Sequence, residues 1–187
     1  MSFLTSRSPG MGEALRESAV FNFEGAVTMV IDDSPFALEL TMRALNGFGL
    51  KTRHACNSAV EAIAILKENP VDLILVDSDM PGMTGFEFVR WLRRSKLEPN
   101  AFAPVIMTAA HVRRSQVSEA RDCGANFLIT KPFSSLTLLE RIVWVSRDNR
   151  PFLEVGDYLG PDRRFNTSPY AGPERRADEI RRKAGKE

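Results

Sequence analysis

The chain has 187 residues, with 25 Lys and Arg against 24 Asp and Glu, a formal net charge of +1. That size suits one ordinary domain plus appendages, and the balanced charge gives no bulk attraction for polyanions, so nucleotide recognition would have to come from local clusters. No apolar run reaches the roughly 18 residues that span a bilayer, the start MSFLTSRSPGMGE lacks the apolar stretch of a secretory signal, and only Cys56 and Cys123 are present, without a CxxC, which excludes a disulfide scaffold and a cysteine-rich zinc site and points to a reducing cytoplasm.

Residues 1–25 are polar, dotted with Gly and Ser, and read as a leader. From Ala26 to about Arg147, apolar runs of five to seven residues alternate with amphipathic stretches of ten or more. The pattern predicts strands at Ala26–Ile31, Lys51–Ala55, Val71–Val76, Pro104–Met107 and Phe127–Ile129. It predicts helices at Pro35–Phe48, Ser58–Glu68, Gly85–Arg94, Arg113–Cys123 and Ser134–Arg147. Strands that are apolar throughout, such as DLILV, belong in a parallel sheet covered on both faces. Five such units in series predict an α/β fold with a doubly wound five-stranded parallel sheet, flavodoxin-like in order, over residues 26–147. Ser34-Pro35 reads as an N-cap and first helical residue, and Gly47 and Gly124 as helix stops. Residues 148–187 hold few large apolar side chains. They predict a largely irregular extension with no helix-turn-helix or other folded output domain, hence no DNA partner.

In an open parallel sheet, ligands bind beyond the carboxyl ends of the strands. Asp32 and Asp33 end the first strand, Asp77 the third and Thr108 the fourth, and Lys131 follows the fifth. Converging carboxylates repel without a cation, and a hard ion such as Mg²⁺ would offset that repulsion. One carboxylate could then accept a phosphoryl group, with Lys131 and Thr108 on its oxygens. The plainer reading of each Asp is a helix cap, but five positions at five strand ends favour a pocket. His54 and His111 have no partner at ligand spacing. Met29, Met42, Met80, Met83 and Met107 read as packing or loop residues, and Arg93-Arg94-Lys96 and Arg113-Arg114 as solvated helix faces.

These residues carry a resemblance. MVIDDSP (29–35), LVDSDMPGMTGFE (75–87), PVIMTAA (104–110) and GANFLITKPF (124–133) make residues 26–147 resemble a response-regulator receiver domain. The resemblance implies that Asp77 accepts phosphate from a histidine kinase or phosphotransfer protein. It implies Mg²⁺ contacts from Asp33, Asp77 and the Asp79 carbonyl, with Asp32 acting through water, and a cis Lys131-Pro132 peptide. Thr108 and Lys131 would read the phosphorylated state. One position departs from the family. Receivers place an aromatic three residues before the lysine; here that residue is Leu128, and Phe127 lies one earlier, on the other face of the strand.

The extension holds an internal repeat, Tyr158-Leu-Gly-Pro-Asp-Arg-Arg164 and Tyr170-Ala-Gly-Pro-Glu-Arg-Arg176, with a period of 12 residues. Gly-Pro predicts a tight turn. Arginine offers a fork for phosphate oxygens or the guanine O6/N7 edge, a carboxylate accepts from guanine N–H donors, and Tyr or Arg planes stack on bases. Two repeats suit a ligand with two guanines and two phosphates. A tail that binds an acidic protein patch is the other reading. A receiver followed by GPDRR and GPERR resembles the Cle group of CheY-like regulators. That resemblance implies cyclic di-GMP binding through Asp162, Arg163, Arg164, Glu174, Arg175 and Arg176, supported by Tyr158 and Tyr170, and action at the flagellar motor switch. Trp144, Arg147 and Arg150 are further candidates for closing the site. No residues beyond the phosphoryl pocket suggest an enzyme with its own substrate.

Overall fold

The structure, a computed structural model, describes residues 23–156 and 158–163. Five strands, β1 (Thr28–Ile31), β2 (Thr52–Cys56), β3 (Leu73–Asp77), β4 (Val105–Ala109) and β5 (Phe127–Thr130), alternate with five helices. The helices are α1 (Pro35–Gly47), α2 (Ala59–Leu66), α3 (Gly85–Arg94), α4 (Arg114–Cys123) and α5 (Ser135–Ser146). The strands form one parallel sheet in the order β2-β1-β3-β4-β5. That is the doubly wound architecture the apolar strands predict.

Strand alternation divides the core in two. Met29, Ile31, Ile74, Val76, Val105 and Met107 face one layer, with Ala62 and Leu66 of α2, Val89 and Leu92 of α3, and Ala120 and Cys123 of α4. Val30, Leu73, Leu75, Ile106 and Ile129 face the other, with Leu38 and Leu45 of α1 and Leu138, Ile142 and Val145 of α5. Each of these buried side chains removes apolar area from water, and truncating one such Leu to Ala typically costs about 2–5 kcal/mol. The helix starts follow the caps. Ser34, Ser58, Thr84 and Ser134 each accept an N–H from the first turn, which satisfies one otherwise orphaned donor. Gly124 ends α4 in the left-handed region, at φ +94°.

After α5 the chain departs from the sequence expectation. Part of the extension is regular: β6 (Phe152–Val155) and β7 (Tyr158–Pro161) pair antiparallel as a hairpin, with Gly156 at φ +58° at its bend. Phe152 meets Phe102 edge-on, with ring centroids 5.3 Å apart. Gly160 and Pro161 are buried within β7, so the Gly-Pro of the first repeat is strand, not tight turn.

Arg93 is the second departure. Expected on a solvated face, it is 1% exposed. Its guanidinium donates to the carbonyls of Gly124 (3.0 Å), Ala101 (2.8 Å) and Ala103 (2.8 Å) and to the Asn126 side-chain oxygen (3.3 Å), and it lies 5.1 Å from the centroid of the Phe152 ring. Those loops leave carbonyls without strand or helix partners, and only a long multi-donor side chain can satisfy several at once. Arg94 and Arg113 are exposed as expected.

Candidate functional site

The carboxyl ends of β1, β3, β4 and β5 bring the predicted pocket together. The Lys131 ammonium lies 2.6 Å from Asp32 Oδ2 and 2.5 Å from Asp77 Oδ1. The Thr108 hydroxyl is 3.5 Å from the same Asp77 oxygen. The second Asp77 oxygen accepts the Asp79 backbone N–H at 2.9 Å, and Asp32 Oδ1 accepts that of Ser34 at 3.0 Å. Burial works against a charged Lys131, but hydrogen bonds to Asp32 and Asp77 and their negative charge outweigh it and hold the amine above the usual lysine range. Lys131-Pro132 is cis, as the family resemblance implies.

The local sequence explains the placement. Asp77 ends an all-apolar strand, so its side chain emerges where the sheet stops. Gly85 then lets α3 close over that end: a Cβ there would collide with the Asp77 carbonyl oxygen. Asp33 and Asp79 are exposed at the rim, and the Asp79 carboxylate accepts from the Ser78 hydroxyl. Among the described residues no three His, Cys, Asp or Glu side chains form a ready metal cage. Asp32 and Asp77, 3% and 6% exposed, share one ammonium and so leave one negative charge in excess. That excess, with hard oxygen donors at the rim, fits a Mg²⁺ ion that keeps several of its waters.

Residues 28–143 match the family model described as "Response regulator receiver domain". The chain belongs to the response regulator receiver family. It is a CheY-like receiver of two-component signalling. It is 29% identical over 114 residues to chemotaxis protein CheY-3 of Vibrio cholerae serotype O1, covering 61% of this chain and 86% of that protein. It is 29% identical to chemotaxis protein CheY of Pseudomonas aeruginosa, again over 61% of this chain and over 90% of that protein. Among solved structures, chemotaxis protein CheY4 of Vibrio cholerae superposes with a TM-score of 0.59 at 30% identity, covering 64% of this chain and 98% of that one. The matched family segment ends at residue 143, before the hairpin.

The receiver's switch position is as the alternation predicts. Leu128 packs with the α2–α3–α4 layer and Phe127 with the α1–α5 layer. Phe127 meets Trp144 edge-on at 5.5 Å, and the Arg141 guanidinium stacks 4.6 Å from its centroid.

Of the tail candidates, Tyr158, Asp162 and Arg163 lie in the described residues; Arg164, Tyr170, Glu174, Arg175 and Arg176 lie outside them. Arg163 lies 3.9 Å over the Tyr158 ring and 3.2 Å from Asp122 of α4. Burial raises the Tyr158 hydroxyl above its ordinary pKa, against the pull of Arg163. The Asp162 N–H donates to Pro151, and its carbonyl accepts from Arg150. Arg150 is clamped by Asp148 at 2.7 Å and lies 5.1 Å from the Trp144 ring. The Asp148 carboxylate also accepts from Asn126, so these residues fasten the extension to the receiver. Sequence reasoning missed Asn126, Asp122, Arg93 and the α3 arginines as neighbours of the tail, because long-range packing brings them there.

Proposed function

We propose that this receiver is phosphorylated on Asp77, and that its arginine-rich extension binds cyclic di-GMP and so controls docking to a target such as the flagellar motor switch. The observation that carries the first part is the Lys131 ammonium between Asp32 and Asp77, with Thr108 on the same Asp77 oxygen. A carboxylate oxygen of Asp77 attacks the phosphorus of a phosphohistidine on a kinase or phosphotransfer partner. The P–N bond breaks, an acyl phosphate forms, and the released imidazole nitrogen takes up a proton. Lys131 and Thr108 then donate to the phosphoryl oxygens. Mg²⁺, held by the Asp33 and Asp77 carboxylates and the Asp79 carbonyl, with Asp32 acting through water, would neutralise phosphoryl charge.

The second part rests on the duplicated Tyr-x-Gly-Pro-acidic-Arg-Arg sequence and on Arg163 lying over Tyr158, a cation and an aromatic plane side by side. The exposed Leu153 and Val155 of the hairpin support the other reading, a tail that docks to protein and takes no nucleotide. Labelling with acetyl phosphate tests the first part: Asp77→Asn should abolish the hydroxylamine-sensitive label, and persistent label would overturn the assignment. Calorimetry of the full chain with cyclic di-GMP tests the second; no heat at high micromolar ligand would leave the docking tail.

A further inference from the structure

The hairpin roofs a cavity of about 340 Å³ whose lining includes Arg90, Arg93 and Arg94 of α3, Asp122 of α4, and Tyr158 and Arg163 of the tail. Four guanidiniums face one carboxylate there. A second cavity, of about 650 Å³, is lined by Arg94 and Lys96, by the carboxylates Glu98 and Glu154, and by Phe152; Arg93, Arg94 and Tyr158 border both cavities.

The floor of the first cavity is unusual. Among the described residues every hydrogen-bond acceptor of Arg93 is a carbonyl or amide oxygen, so its charge is solvated by dipoles and is hydrogen-bonded to no carboxylate there. Burial pushes its pKa down to about 10. A buried cation of this kind projects a positive potential that solvent screens poorly, and an anion arriving above it relieves the cost of burying the charge. Arg90 and Arg94 add their charge at the same wall. The Arg90 guanidinium is 3.0 Å from Glu119, with 40% of each side chain exposed, a surface pairing of the strength that a phosphate can displace.

We propose that α3 of the receiver supplies the phosphate-binding half of the nucleotide site, with Arg94 and Arg90 facing Arg163 and Tyr158 of the tail across this cavity. The inference rests on the reading that the extension binds cyclic di-GMP, and it divides the ligand's chemistry. The tail contributes the stacking and guanine-reading groups, and the receiver contributes fixed positive charge for a phosphodiester. Neither half alone offers both. A receiver without its tail lacks the Tyr158 ring and the Arg163 guanidinium at this cavity, and the tail alone has no buried cation beneath it.

The test is calorimetry on the full chain with cyclic di-GMP and, separately, GMP. Arg94 is exposed and so can be varied; Arg93 is not, because its loss would strand the buried carbonyls of Gly124, Ala101 and Ala103. Arg94→Ala should weaken cyclic di-GMP binding at least ~10-fold, the loss of one charge-assisted contact. Arg94→Lys, which keeps the charge, should recover most of that loss. Arg53→Ala, on the outer strand β2, should bind as the parent does. GMP should bind far more weakly than the dinucleotide. If the parent chain binds cyclic di-GMP and Arg94→Ala binds it equally well, the α3 site is wrong and the nucleotide reading stands. If the parent chain does not bind, or binds GMP equally, the nucleotide reading falls and this inference falls with it.

Discussion

Gly124 and Gly160 meet backbone against backbone. A Cβ on Gly160 would stand 2.7 Å from the Gly124 Cα and equally close to the Tyr158 hydroxyl, and a Cβ on Gly124 would stand 2.6 Å from the Leu159 carbonyl oxygen. The first repeat therefore uses its glycine to let β7 lie directly on the cap of α4. The receiver uses Gly124 twice, once for the left-handed cap and once for this contact. Arg93 locks the same corner by donating to the Gly124 carbonyl.

Gly160→Ala should lift the hairpin without unfolding the receiver. The added methyl meets backbone, which cannot swing aside, and overpacking of this kind costs roughly 1–3 kcal/mol. Cys123 reports the result, because it lines the cavity under Tyr158 and Leu159. In the parent protein burial pushes Cys56 to about 12 and Cys123 to about 11, so at pH 8 roughly one thiol in a thousand or fewer is ionised and both should resist a thiol reagent. In Gly160→Ala, Cys123 should label much faster while Cys56, buried at the end of β2, stays silent. Equal, slow labelling of both thiols in the variant would show that the hairpin seat tolerates a side chain there.

The five strands, five helices and the cluster of polar residues at the strand ends were legible in the sequence because their signals are local: all-apolar runs, Ser and Thr caps, and polar residues where the runs stop. Asp32, Asp77, Thr108 and Lys131 could be placed together because strand ends in a parallel sheet share one edge. The hairpin was legible in part. The dipeptide Gly156-Asp157 between FLEV and YLGP is a two-residue turn signal, outweighed by the low apolar content of the whole segment. Arg93 was not legible. Its sequence neighbours Arg94 and Lys96 are exposed, and only the convergence of the α3–β4 and α4–β5 connections on the end of α3 gives a buried guanidinium its partners.

The displaced aromatic has a measurable consequence. Phosphoryl oxygens on Asp77 would draw in the Thr108 hydroxyl, and the side chain that follows in β5 on that side is Leu128, which has no ring to swing. Phe127 is held on the opposite layer by Trp144 and Arg141. Beryllofluoride bound to Asp77 should shift resonances of Thr108 and Lys131 strongly and leave the Trp144 indole signal nearly still. A large movement of Trp144 in the absence of nucleotide would show that the switch reaches α5 by another route.

The packing of the first repeat also decides how much of the proposed nucleotide site would survive outside the full chain. A peptide of residues 148–187 keeps every arginine of both repeats, and a count of arginines would give it most of the binding. The structure argues otherwise. Tyr158 is half-buried under the Arg163 guanidinium, β7 lies on Gly124, and Arg163 is held to Asp122 at 3.2 Å. In the peptide these groups must be ordered by the ligand itself, and that ordering cost is subtracted from affinity. The peptide should therefore bind cyclic di-GMP at least ~10-fold more weakly than the full chain. Asp122→Ala in the full chain separates ordering from charge. Its ion pair with Arg163 is half-exposed and worth little, so freeing Arg163 should change affinity by less than a few fold, in the direction of tighter binding. Peptide affinity equal to that of the full chain would mean that the receiver contributes neither order nor charge, and the site would then belong to the tail alone.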